Sequence, residues 1–167
     1  MKKYLIIATV ATLFSGVTLF GVESKTVEKV YQKECGSCHM AYQPQFLPSR
    51  SWNKMMKNLD NHFDVDATLD ANDNKTILAY LTSNAGDMKG ATKHFAKMSN
   101  SVANNETPLR ISQTPYFLRE HRGVPKRFIE QKEVKSLANC TACHTTATQG
   151  SYSERAIKIP NYGRWDD

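Results

Sequence analysis

Apolar positions in this chain recur at helical spacing in short bursts, separated by polar stretches that carry proline, glycine or asparagine, and the bursts predict a mainly α protein. Val27, Val30 and Tyr31 stand at i, i+3 and i+4, a short amphipathic helix over Val27 to Gln32 that runs straight into a cysteine, Cys35. The segment "AYQPQFLPSRSW" follows. Its prolines, Pro44 and Pro48, forbid a regular helix and predict a loop wrapped over something apolar. Ser51 is a candidate N-cap for a helix from Trp52 to about His62, with Met55, Met56, Leu59 and Phe63 on or near one face. The polar run "DVDATLDANDN" then stops one helix and starts another. Asp70 or Thr68 caps a helix facing inward with Ile77, Leu78 and Leu81, which fades at Asn84 and Gly86.

The stretch "SNSVANNETP", Ser99 to Pro108, has no clear period and is read as a linker. It divides the chain into an N-terminal domain over residues 25–100 and a C-terminal domain over 101–167. Thr114-Pro115 then marks a helix start, and "HRGVP", with Gly123 and Pro125, marks its stop. Between them Phe117 and His121 share a face at i and i+4. A further helix, about Arg127 to Ala138, leads into a second cysteine motif as the first helix leads into the first. After His144 no period is visible, and irregular structure is expected.

Residues 1–24 stand apart from this pattern. "MKK" is a basic opening, and the 19 residues Tyr4 to Val22 carry no charge. This reads as a secretory signal, with Val22-Glu23-Ser24 or Leu19-Phe20-Gly21 at the cleavage point. The alternative is an uncleaved membrane anchor, since such a run is just long enough to span a bilayer. Either way the remainder lies outside the cytoplasm. Composition changes the picture little: 40% hydrophobic and 23% charged residues suit a globular chain. The net charge of +6 falls mostly on residues 96–167. No basic stripe or nucleic-acid motif accompanies it, so an acidic partner or buried acidic groups on a cofactor fit better than nucleic acid.

Candidate chemistry sits in "ECGSCHM", Glu34 to Met40, and "NCTACHT", Asn139 to Thr145, which together hold all four cysteines of the chain. Two residues between thiols place both sulfurs beside the two vinyl groups of one porphyrin, and the histidine that follows turns its imidazole onto the iron. A redox dithiol would open a helix after a strand, and no such pattern surrounds either motif. A zinc site built from two pairs about a hundred residues apart, or two disulfides, would leave both histidines without a reason. The motifs therefore predict two covalently attached haem c groups, on Cys35, Cys38 and His39 and on Cys140, Cys143 and His144.

Three histidines remain for the opposite faces: His62, His94 and His121. His62 ends a predicted helix beside Leu59 and Phe63, and His121 shares a face with Phe117, a residue type suited to packing on a porphyrin. These two are the expected distal ligands. His94, flanked by Lys93 and Lys97, has no apolar stripe. Met88 and Met98 stay open as ligands, and methionine ligation would raise a reduction potential above that of a bis-histidine haem.

The stretches "YQKECGSCHMAYQPQFLPSRSWNKMMKNLDNHFDVDATLD" and "TPLRISQTPYFLREHRGVP…NCTACHTTATQGSYSERAIKIP" resemble the small periplasmic dihaem cytochromes c of bacteria. That resemblance implies a helical cytochrome-c-like N-terminal domain, a less regular C-terminal haem domain, and periplasmic electron transfer. It implies redox partners such as an oxygen-binding monohaem c protein or a membrane b-type cytochrome. It supports His62 and His121 as distal ligands and gives no support to His94. Two closed irons leave no open position for substrate, so an electron carrier is expected and not an enzyme. The alternatives are a haem enzyme or gas sensor with one displaceable ligand, for which so short a chain leaves little room beside two haems, and a zinc-stapled binding module. Arg119, Arg122, Lys126 and Arg127 form a basic collar near His121, with Arg50 near the first motif, expected to face haem propionates or an acidic partner.

Overall fold

The computed structural model describes residues 20–165. The leader expected over residues 1–24 lies almost wholly outside them, and no helix among the described residues is long and apolar enough to cross a membrane.

Helix α1, Phe20–Cys35, is longer than the predicted Val27 to Gln32 and delivers Cys35 at its last residue. The chain then makes a single 3-10 turn at Pro44–Phe46, where the two prolines preclude anything longer. Two hydrogen bonds pin this segment: Trp52 Nε1 donates to the Pro44 carbonyl at 2.7 Å, and the Tyr31 hydroxyl donates to the Tyr42 carbonyl at 2.7 Å. Helix α2 spans Ser49–Met56 with Pro48 at its N-cap, so it starts before Ser51 and ends well before His62. The apolar face holds only as far as Met56. Lys57 and Asn58 interrupt it, and Leu59–Asn61 forms a separate 3-10 turn.

Helix α3, Ala71–Ser83, is the element nearest to its sequence pattern. Asp70 caps it, its carboxylate accepting from the amides of Asn72 and Asp73, and Asn84 ends it. Ile77 and Leu81 are fully buried, each contributing about 1.5–3 kcal/mol by leaving water. Helices α1 and α2 both pack on α3. Helix α4, Lys93–Asn100, was not foreseen and lies on the Pro44–Phe46 turn. The approach is close: a Cβ on Gly86 would stand 2.2 Å from the Gln45 carbonyl oxygen and 2.5 Å from Ser99 Cβ. Only glycine fits there.

The polar stretch Ser99 to Pro108 is not a loose tether, because Ser99 and Val102 are buried. Arg50 also straps it down, donating from Nε to the Glu106 carbonyl at 2.7 Å and from Nη2 to the Ala103 carbonyl at 2.8 Å. Helix α5, Pro115–His121, begins and ends where Thr114-Pro115 and Gly123 predict. Its Phe117, with Ile111, joins the main core of Phe46, Leu47, Trp52, Ile77 and Leu81.

The predicted helix over Arg127 to Ala138 is a correction. Only Lys126–Ile129 is helical (α6), and the chain then turns, with Lys135 at φ 63°. The second motif is therefore not delivered by a helix, and the weak repeat read from the sequence does not extend to the structure. The end of the chain is irregular as expected, apart from a hairpin of β1, Lys158–Ile159, and β2, Gly163–Arg164. Phe128, Tyr162 and Trp165 cluster beneath it.

Candidate haem sites

The first motif begins where α1 stops. The Gly36 amide donates to the Gln32 carbonyl at 3.0 Å, and a Cβ at Gly36 would lie 2.1 Å from that oxygen, so glycine between the cysteines permits the turn. His39 Nδ1–H donates to the Met40 carbonyl at 2.7 Å. A carbonyl only accepts, so the proton is on Nδ1 and Nε2 is left as the free lone pair.

Across from it stands His62, its ring centre 6.1 Å from that of His39 and its plane inclined by only 20°. His62 does not end a helix as its pattern suggested. It opens a two-residue hairpin in which its amide donates to the Val65 carbonyl at 2.8 Å and the Val65 amide donates back at 3.3 Å. Phe63 and Asp64 occupy the two central positions at φ 55° and 71°.

The second motif is compact: Cys140–Ala142 forms one 3-10 turn, and the His144 amide donates to the Cys140 carbonyl at 2.8 Å. The tail returns over it, Lys158 donating to the Cys143 carbonyl at 2.9 Å and Ile157 pairing with His144. His121 faces His144, again with ring centres 6.1 Å apart, at an interplanar angle of 66°. Phe117 stacks on His121 at 3.8 Å and 11°, and the Phe117 carbonyl accepts from His121 Nδ1 at 2.9 Å. One turn of α5 thus fixes both the ring plane and the tautomer. A cavity of about 290 Å³ opens between the histidines, walled by Phe46, Phe95, Ile111, Leu137 and Ile159 and by both cysteines of the motif.

Electrostatics favour neutral imidazoles and inert thiols. Burial lowers the pKa of His121, and burial followed by the neighbouring His121 lowers that of His144. His62 is lowered by burial first, then by His39 and Arg110. Burial pushes the thiols of Cys35 and Cys140 up to about 11. A redox dithiol needs a depressed thiol pKa, so this environment is the wrong one for it.

The residues fit two haem groups. An iron–imidazole bond of about 2 Å on each side, with about 1 Å more from nitrogen to ring centre, separates the ring centres of an axial pair by about 6 Å. Both pairs meet that spacing. All four thiols are free of disulfides. Among the described residues no cluster of three or more histidine, cysteine or carboxylate side chains could hold a metal alone, so the zinc reading has no site. His144 Nδ1 is buried with no hydrogen-bond partner.

Of the remaining candidates, His94 and Met98 also line the second cavity, His94 exposed and Met98 half-buried, and Met88 is exposed. Arg50 donates to the strap over residues 103–106 and lies 3.9 Å from Asp87. The sequence reading missed Tyr42, Gln43 and Tyr152, which join the motifs. Tyr42 stacks on His39 at 5.1 Å and donates to the Ala138 carbonyl at 2.7 Å, while Tyr152 packs against His144 at 5.4 Å. A cleft of about 720 Å³ beside them is bounded by His39 on one side and Thr141 on the other. No periodicity marks these residues. Their nearness to the motifs was the one available signal.

Two thiol pairs, each followed by a histidine that faces another histidine across an iron-sized gap, define a c-type cytochrome with two haem sites. The chain belongs to the dihaem cytochrome c family, whose sequence profile matches residues 31–152. Members of that family carry two covalently bound haem c groups and act in electron transfer. The fold is similar to the crystal structure of a dihaem cytochrome c from Shewanella baltica OS155, at 33% identity and a TM-score of 0.69 over 84% of this chain and 98% of that one. It is also similar to a dihaem cytochrome c from Rhodobacter sphaeroides, at 41% identity and a TM-score of 0.68 over 74% of this chain and 95% of that one. No curated protein matches the chain.

Proposed function

We propose that the protein is an exported, periplasmic electron carrier whose two irons are each closed by a histidine pair: His39 with His62, and His144 with His121. Cys35, Cys38, Cys140 and Cys143 supply the thioether attachments. The observation that carries this reading is the repeated 6.1 Å separation of ring centres in both pairs, reached by two unrelated local structures. Bound haem supplies one-electron redox chemistry. The chain's own part is to hold four imidazoles in place, to exclude water from the second site with an aromatic and aliphatic wall, and to present a surface for docking.

The partners fitting this role are redox proteins, an oxygen-binding c-type haem protein or a membrane b-type cytochrome being the kinds the resemblance implies. Arg119, Arg122, Lys126 and Arg127 are exposed around His121 and suit an acidic partner surface. The reading is tested by the visible spectrum of the matured protein, reduced with dithionite, before and after carbon monoxide. Unchanged low-spin bands on mixing support it. A prompt shift of one haem's absorbance overturns the closed-iron assignment at that site.

A further inference from the structure

The hairpin that presents His62 is built against its own backbone preference. Both central positions of a tight two-residue hairpin turn demand positive φ, which asparagine and glycine tolerate and other residues adopt at a cost. Here they are Phe63 at 55° and Asp64 at 71°. Backbone held in this region persists only where surrounding structure over-determines it.

That surrounding structure comes from a distant part of the chain. The Phe63 ring is packed against two groups, the His62 imidazole at 4.7 Å and the Arg110 guanidinium at 3.9 Å. Arg110 is itself firmly placed, since Ile111 beside it is buried in the core and Arg50 holds the preceding strap at Glu106. A guanidinium over an aromatic face is attractive, and it stays charged at every pH the protein meets. Phe63 thus touches both the ligand candidate His62 and the fixed cation Arg110.

We infer that Arg110 and Phe63 are positioning residues forming a latch that holds His62 in place on the distal side of the first haem site, and whose release opens that iron to an external ligand. The inference rests on the ligand assignment proposed above. The second site has no such device, because His121 sits on a regular helix and is fixed by Phe117 from its own turn. Only the first site is poised to open.

The test is carbon monoxide uptake by the dithionite-reduced holoprotein on prolonged incubation, comparing wild type with Arg110→Ala and Arg110→Lys. Uptake is then limited by how often His62 lets go. Arg110→Ala is expected to bind at one haem equivalent about two- to fivefold faster than wild type, the size of effect that losing an exposed cation–π contact brings. Arg110→Lys restores much of the wild-type rate, which a merely structural role would not require. Phe63→Leu, which keeps apolar bulk and removes the aromatic face, repeats the Arg110→Ala result and serves if that variant fails to accumulate. If wild type is closed and both variants take up carbon monoxide no faster, the latch is overturned while the ligand assignment stands. If wild type itself binds promptly at the first haem, the assignment of His62 fails and the latch fails with it.

Discussion

The hydroxyl of Tyr152 donates to the side-chain oxygen of Gln43, joining a residue packed on His144 to one four positions beyond His39. Gln43 also donates from Nε2 to the Ala147 carbonyl at 3.0 Å, so one amide holds two points of the second motif's surroundings. Gln43→Ala removes both bonds, taking the acceptor from the half-buried Tyr152 hydroxyl while the Ala147 carbonyl keeps the Gly150 amide at 2.9 Å. A loss of about 1–3 kcal/mol is expected in denaturant unfolding. The second haem's absorbance should depart from native at lower denaturant than the first.

The two histidine pairs differ in the angle between their rings, 20° for His39 with His62 and 66° for His121 with His144. Near-parallel imidazoles act on the same iron orbital and separate it from its partner, whereas steeply crossed rings act on both and leave them close in energy. The oxidised protein is therefore expected to show two distinct low-spin signals in electron paramagnetic resonance. The crossed pair gives the more anisotropic one. Two identical signals would contradict the ring angles.

His121→Ala should open the second iron and yield one haem equivalent of fast carbon monoxide binding. His94→Ala, which alters only the rim of that cavity, should leave the spectrum of the reduced protein and its carbon monoxide response unchanged. A reversal of these two results would move the distal ligand from α5 to α4.

Gly86→Ala places a methyl group against the Gln45 carbonyl and Ser99 side chain, a contact that neither can yield without moving α4 off the Pro44–Phe46 turn. Overpacking of this kind costs about 1–3 kcal/mol. The loss is to be read as a lower urea midpoint with both haems still attached.

Asp70 is an exposed cap whose pKa is lowered, chiefly by the backbone amide it accepts from at Asp73. A carboxyl depressed on folding stabilises the native state above its unfolded pKa and ceases to do so as pH falls through its folded value. The melting temperature of wild type should therefore decline more steeply below about pH 4 than that of Asp70→Asn, which cannot ionise. Equal slopes would show that the cap does not titrate with folding.

The two haem groups were legible because the pattern that signals each is local, a Cys-x-x-Cys-His motif of five positions. Helix α3 was legible for a related reason, since Asp70, Ile77, Leu81 and Asn84 obey one period and one pair of caps. His121 was placed by the i, i+4 relation to Phe117, and α5 preserves it. His62 was singled out by a pattern that the structure does not use, because the helix it was assigned to stops at Met56 and a strained hairpin takes over. Helix α4 was missed because its buried residues, Ala96 and Ser99, are too small to register as an apolar stripe, and only Phe95 and Met98 add larger apolar contacts. The helix expected before Cys140 failed for the opposite reason. Its apolar residues, Phe128, Val134 and Leu137, bury themselves from successive turns without needing helical backbone between them.

The tail that folds back on the second motif has a bearing on how the protein is made. Ile157, Ile159 and Trp165 form part of the wall around the second cavity, and Lys158 closes the backbone over Cys143. These residues follow the motif they cover in the chain, so they are synthesised after it. The second motif therefore acquires this part of its wall only once the chain beyond it has been made. Loading of the second haem is therefore expected before this segment docks, and its docking then covers the site.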